Sequence, residues 1–354
     1  MMIPTEPIGS IPRPRALLEA LTAFTKHRCS QSAIDMAYDA ALRETIAELE
    51  ATGSPVITDG EQAKPSFATY PLHGLQNLGA DGPIITFADG HQRRLPRLTA
   101  GPFRYSTYAD RYLQAAQRYT QVPIKQAVIS ASALSLLYPE EGIPGYPRDT
   151  FLDDLVDEAE ADIRRCMDAG AHTVQIDFTE GRLSIKLDPS GQLLTRFIDL
   201  NNRVLSRFSA EQRARIGIHT CPGGDHDSTH SADVDYAALL PRLFELHVGR
   251  FYIQLASERE RRRVLNLIKT YARPHHTIFV GVIDPLIPRI ETAEEVRDRV
   301  LEAAAYIPIQ QLGTTDDCGF SPFGDDMSTA RETAFAKIRS RVEGTQLAAR
   351  QLGA

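Results

Sequence analysis

The stretch Ile216-Gly217-Ile218-His219-Thr220-Cys221-Pro222-Gly223-Gly224 sets the terms for the rest of the chain. Its apolar half reads as a short strand, and the glycines that follow turn it into a loop. Residues two apart on a strand share a face, so the His219 imidazole and the Cys221 thiol aim at one spot at the strand's carboxyl end. Both are zinc-ligand types. A third candidate, Cys318, stands far downstream in Leu312-Gly313-Thr314-Thr315-Asp316-Asp317-Cys318-Gly319, again closing a strand-like run. One His and two Cys at strand ends leave room for an exchangeable ligand, the pattern of a catalytic zinc. Taken alone, His-x-Cys is a weak signal, because cysteine is also an ordinary small buried residue.

Outward from this stretch, strand and helix signals alternate. Strand 126–130 precedes helix 149–169, and strand Thr173–Asp177 precedes helix 193–208. The His219 strand is followed by helix 234–246, then strand 251–255 with helix 260–272. Strand Thr277–Ile283 leads to helix 293–306, and strand 309–313 to helix 328–342. Two earlier strands lie in Pro7-Ile8-Gly9-Ser10-Ile11-Pro12-Arg13-Pro14 and in Val56-Ile57-Thr58-Asp59-Gly60-Glu61, with helices Arg15–Thr25 and 31–52 between them. Strict alternation implies a parallel sheet, and eight repeats argue for an α/β (β/α)8 TIM barrel filling one domain, residues 1–354. A doubly wound sheet is the competing arrangement, but no Gly-x-Gly-x-x-Gly follows the first strand.

Residues 82–101 break the rhythm. Ile84-Ile85-Thr86-Phe87, a turn at Asp89-Gly90 and a basic run suggest an inserted β-hairpin, with Arg93 and Arg94 on a solvated edge strand.

Barrels of this kind work at the carboxyl ends of their strands. Ser10, Glu61, Ser130, Asp177, His219, Cys221, Gln254, Asp284, Asp317 and Cys318 each close a proposed strand. Any one of them is explained by loop capping; all together point to a shared pocket.

Composition narrows the partners. The chain has 354 residues, 42% hydrophobic and 24% charged, with net charge -7 and no basic block, which argues against nucleic acid or an anionic membrane. No apolar run spans a bilayer and no signal segment opens the chain, so the cytoplasm is the expected compartment. Four cysteines in so long a chain do not form a disulfide framework and stay free for metal.

Ile8-Gly9-Ser10 with Pro12, Asp59-Gly60-Glu61, Val174-Gln175-Ile176-Asp177, His219-Thr220-Cys221 and Asp317-Cys318-Gly319 carry a likeness. Over essentially its whole length the chain resembles the catalytic C-terminal barrel of cobalamin-independent methionine synthase and its single-barrel relatives. The resemblance implies a zinc cofactor held by His219, Cys221 and Cys318 with a fourth ligand. It also implies a substrate thiol, that of homocysteine, which becomes a thiolate. Glu61 and Asp177 match the acidic groups that hold its amino group; Gly9 and Ser10 match the part that meets its carboxylate. The family's glutamate ligand falls at Gln254, a neutral substitute, with Glu258 one turn later.

Other departures concern the donor. The chain has no Trp to stack a pterin, and Leu286 stands where the family has the histidine proposed to protonate departing folate. Methyltetrahydrofolate is therefore expected to be a poor donor, and a corrinoid protein is one alternative partner. Epoxide:thiol transfer is a second reading within the same chemistry, and a binding protein with a structural zinc is a third. No Lys or Arg stands at a strand end beside Glu61 or Asp177, so a substrate ammonium is their expected counterion. His226 and His230, in the loop 223–233, read as solvated loop residues, with lining the pocket as the alternative; His275-His276 read as lying at the far barrel end, and Cys29 and Cys166 as outside the site.

Overall fold

The computed structural model describes residues 3–353. Six parallel strands, Lys125–Ile129, Thr173–Asp177, Ile216–Thr220, Arg250–Ile253, Thr277–Ile283 and Leu312–Asp316, lie side by side in chain order in one sheet. They are rich in β-branched and apolar residues with a few polar ones among them, and are buried almost end to end, as strands covered on both faces must be. The helices that follow them in turn, among them Arg148–Asp168, Gln192–Leu205, Tyr236–Leu243, Arg261–Tyr271, Ala293–Ala304 and Arg331–Leu352, supply the outer layer.

Two more staves extend this sheet at its edges. Thr5 bridges Thr314 in parallel on one side, and Ile57 bridges Ile124 on the other. The amide of Glu6 donates to the Thr314 carbonyl (3.0 Å), and that of Lys125 to the Ile57 carbonyl (2.8 Å). The two end staves then meet each other: the Ile11 amide donates to the Gly60 carbonyl (3.0 Å) and Thr58 Oγ1 to the Gly9 carbonyl (2.9 Å). Eight staves thus ring one core, with helices outside.

The first two staves differ from the expected strands. Each is held by a single bridge, because Pro4, Pro7, Pro12, Pro14 and Pro55 remove ladder donors. The eighth strand is Leu312–Asp316, three residues later than expected, since the Gln311 amide turns back onto the Pro308 carbonyl. The last helix likewise begins at Arg331 and runs to Leu352; Asp326 holds Ser328 in a turn ahead of it.

At the amino-terminal ends of the staves, Glu6 is buried and accepts from Arg250 (2.8 Å) and the Tyr252 hydroxyl (2.5 Å), with the Lys125 ammonium 3.9 Å away. That end is closed by charge pairing, which leaves the carboxyl ends for a pocket.

The hairpin is present, Ile84–Thr86 pairing antiparallel with Gln92–Arg94. It leans over the pocket and joins the small hairpin Gly224–Asp225/Ser228–Thr229, the Ala88 amide donating to the Thr229 carbonyl (2.9 Å). Arg93 is not a solvated edge residue. It grips buried Asp225 through two nitrogens and Asp325 through two more bonds of 3.0 and 2.9 Å, and stacks 4.3 Å from the Phe323 ring centroid. No helix among the described residues is long and apolar enough to cross a membrane.

Candidate active site

Asp177 and His219 are register partners on adjacent strands, so their side chains meet: Asp177 Oδ1 lies 3.2 Å from His219 Nδ1. Cys221 follows one residue past its strand, and Cys318 two residues past the eighth. Their sulfurs are 3.3 Å apart, unbridged. The ligand atoms of His219, Cys221 and Cys318 all fall within 4.8 Å of one another, and all three residues are buried. The other ring nitrogen of His219 lies 3.3 Å from the Asp317 carbonyl. Both ring nitrogens thus face an oxygen; an ion bound at Nε2 would replace the 3.3 Å carbonyl contact while Asp177 keeps hold of Nδ1, as around metal-bound imidazoles generally.

The donor set fits a zinc-type cation on chemical grounds. Contact with Cys221, followed by burial, holds the Cys318 thiol far above the ordinary range. Two thiols pressed together in a dry site are poor partners for each other, and a dication between them reverses that electrostatic sign.

Gln254 is placed differently from the sequence expectation. Its Oε1 accepts from Arg182 (2.7 Å) and from the Tyr236 hydroxyl (3.1 Å), while its Nε2 donates to Ser257 (2.5 Å). Both lone pairs of the oxygen are engaged, so Gln254 has none to offer a metal. Glu258 pairs with the same guanidinium at 2.9 Å. Asp317 is a pin: its carboxylate accepts from the amides of Leu255, Ala256 and Ser257 at 2.7 to 2.8 Å and anchors the loop behind Gln254.

Glu61 reaches the cavity through two successive left-handed residues, Gly60 at φ 63° and Glu61 at φ 55°. A non-glycine residue held in that region is strained, and such strain gathers at functional sites. Lys64 corrects the expectation that Glu61 lacks a protein cation. Its ammonium sits 2.9 Å from Glu61 Oε1 and 2.9 Å from the Ala127 carbonyl. Burial pushes the Glu61 pKa up, and Lys64 opposes it while Asp177 and Asp59 add to it. Asp177 Oδ1 also accepts from Gln175 (2.8 Å). Among the described residues neither Glu61 Oε2 nor Asp177 Oδ2 has a hydrogen-bond partner, and both side chains line one cavity. Ser10 Oγ accepts from the Ser321 amide (3.1 Å) and keeps its own proton to donate; Gly9 lies beside it on the same wall.

The outer wall is apolar: Phe67, Ile85, Phe87 and Phe323, with Arg93 at its margin. His230 belongs here too, 6% exposed and edge-on to Phe87, not a solvated loop residue. His226 is exposed, His276 packs between Phe244 and Phe251 at the far end, and Cys166 is buried under a helix. Sequence reasoning thus missed Lys64 and Arg93, and ranked the pocket placement of His230 below a solvated one. Lys64, three residues beyond Glu61, had a legible signal; the other two depend on how the hairpin folds back.

The sequence profile described as "Cobalamin-independent synthase, Catalytic domain" matches residues 3–343. A protein named methionine synthase from Sulfurisphaera tokodaii is 23% identical over 351 residues, covering 99% of this chain and 94% of its own. Another of that name, from Saccharolobus solfataricus, is 23% identical with 99% and 96% covered. Among solved structures, a B12-independent methionine synthase from Shewanella sp. W3-18-1, in complex with selenomethionine, superposes with a TM-score of 0.79 at 19% identity, covering 99% of each chain.

Proposed function

This chain belongs to the cobalamin-independent synthase catalytic-domain family, and on that premise we propose that it is a methyltransferase acting on a thiol, homocysteine being the acceptor. The observation that carries the reading is the cavity itself: His219 and Cys318 line it with Cys221 clustered behind them, and two carboxylates with free oxygens stand beside them. The relatives named methionine synthase support the choice of thiol. The profile match over residues 3–343 supports reading the chain as one such domain.

We assign zinc to His219, Cys221 and Cys318. When bound, it supplies the charge that makes a coordinating thiol a thiolate, the nucleophilic form. The remaining tasks fall to the chain's own side chains. Asp177 orients His219 from behind and, with Glu61, turns a free oxygen toward a substrate ammonium. Ser10 Oγ–H and the backbone at Gly9 meet the substrate carboxylate. Phe67, Phe87 and Phe323 keep water from the sulfur, so that transfer to it competes with no hydrolysis.

The corrinoid-protein donor is not carried forward, since the family the chain belongs to is the cobalamin-independent one. Epoxide:thiol transfer keeps one specific support: Lys64 already neutralises Glu61 and Arg93 borders the cavity, so the charges do not demand an ammonium. The test is S-alkylation of homocysteine by zinc-loaded protein with three separate electrophiles: methyltetrahydrofolate and methyl iodide, which give methionine, and propylene oxide, which gives the S-hydroxypropyl thioether. Alkylation of homocysteine by none of them, in protein carrying full zinc, would contradict the reading. Reaction with the epoxide alone would move it to the second chemistry.

A further inference from the structure

Gly223 adopts φ 71°, and a methyl group built on it would lie 1.8 Å from His230 Nε2. The imidazole edge therefore rests directly on this glycine, whose amide donates to Cys221 Sγ at 3.4 Å. One residue spaces the ring from the thiol floor. The ring's Nδ1 is engaged by the Ser231 hydroxyl, and its face is held edge-on by Phe87 at 5.5 Å between centroids. Among the described residues Nε2 has no hydrogen-bond partner, and His230 lines the same cavity as Glu61, Asp177 and Cys318.

Its neighbours on that wall offer nothing comparable. Arg93 spends its nitrogens on Asp225, Asp325 and His226, and Leu286, close by Gly224, is apolar. Burial, then the charges of Lys186 and Arg182, pulls the His230 pKa down to about 4 against the opposing pull of Asp233. The ring is accordingly neutral in the working range, and if the Ser231 hydroxyl donates to Nδ1, Nε2 carries the proton.

We propose that His230 contacts the alkyl donor: its Nε2–H hydrogen-bonds the nitrogen or oxygen that leaves the transferred carbon. This rests on the thiol-alkylation reading above. In the step, sulfur's electron pair forms the S–C bond, and the C–N or C–O bond breaks with its pair kept by the heteroatom. The proton given up by the thiol is balanced by the one the heteroatom gains. A hydrogen bond that strengthens as charge builds on the heteroatom lowers the barrier without binding the ground state more tightly.

The test compares His230→Phe, which keeps the ring and its packing, with His230→Gln, which keeps a donor. Zinc content and homocysteine binding should match wild type in both. With methyltetrahydrofolate (leaving nitrogen) or propylene oxide (opening oxygen), whichever wild type uses, His230→Phe should lose about 100-fold in kcat, the scale of one transition-state donor. His230→Gln should recover most of it, and methyl iodide, whose leaving iodide needs no proton, should react equally with all three proteins. A His230→Phe protein as fast as wild type, or one equally slow with methyl iodide, overturns the inference. A second readout is independent of turnover: the His230 Nε2 proton resonance should shift when methyltetrahydrofolate or propylene oxide is added to zinc- and homocysteine-loaded wild type. Absence of a shift with both overturns the proposal. Failure of wild type with methyl iodide as well would instead implicate the thiol chemistry.

Discussion

Lys64 sets its ammonium 2.9 Å from Glu61 Oε1, with both side chains almost wholly buried. The pair borders the cavity floor, so it fixes the direction in which Glu61 offers its other oxygen. Burial alone works against the lysine's charge; Glu61 and Asp59 outweigh it and hold its pKa above the usual lysine value. Removing one partner of such a pair leaves an uncompensated buried charge.

Lys64→Met is therefore expected to lower stability by about 3–5 kcal/mol. Adding Glu61→Gln should restore most of that loss. Urea denaturation of the three proteins checks it. A single variant within about 1 kcal/mol of wild type would mean the pair is solvated and weak.

Asp177→Asn separates two roles of one carboxylate. Loss of the ammonium contact should weaken an amino-acid thiol by about 2 kcal/mol, roughly 30-fold in Kd. A thiol without an amine should bind equally to both proteins. Calorimetry with homocysteine and with its desamino analogue decides. Equal loss for both would show that Asp177 serves only to hold His219, 3.2 Å away.

Gln254→Ala should keep zinc affinity within about threefold, because its oxygen already serves Arg182 and Tyr236. Cys318→Ser should lose most of the metal. A loss of 10- to 100-fold in Gln254→Ala, measured by chelator competition, would return this residue to the metal's surroundings.

Much of this was legible in the chain. Alternation of apolar strands and amphipathic helices gave the parallel sheet, and His219-x-Cys221 follows from the two-residue repeat of a strand. Cys318 was legible because it closes another such run. What stayed hidden was carried by side chains that arrive from elsewhere. Arg93 looks like a solvated charge until the hairpin lays it on Asp225, 132 positions away. His230 reads as a loop residue until Gly223 makes room for its ring. Gln254 sits where a ligand is expected, and only the long reach of Arg182, 72 positions earlier, shows that its oxygen is taken.

Glu6 gives the fold a pH signature. Burial pushes its pKa up, but His172, Lys125, Arg250 and Tyr252 together hold it at about 2 against an ordinary 4.5. A depressed carboxylate stabilises fully above the unfolded value and loses that contribution as pH falls from 4.5 toward 2. The difference is worth about 3 kcal/mol. The stability gap between wild type and Glu6→Gln should accordingly shrink over that window, as followed by denaturation at successive pH values. A constant gap would show that Glu6 titrates normally.

The central claim is that the His219, Cys221 and Cys318 site activates a thiol through its metal. It is tested most directly by proton release on mixing homocysteine with the protein at about pH 7, where a free thiol is still protonated. Zinc-loaded protein should release about one proton per chain, while metal-free protein and Cys318→Ser release almost none. Equal release from zinc-loaded and metal-free protein, or none from either at full homocysteine occupancy, would contradict it.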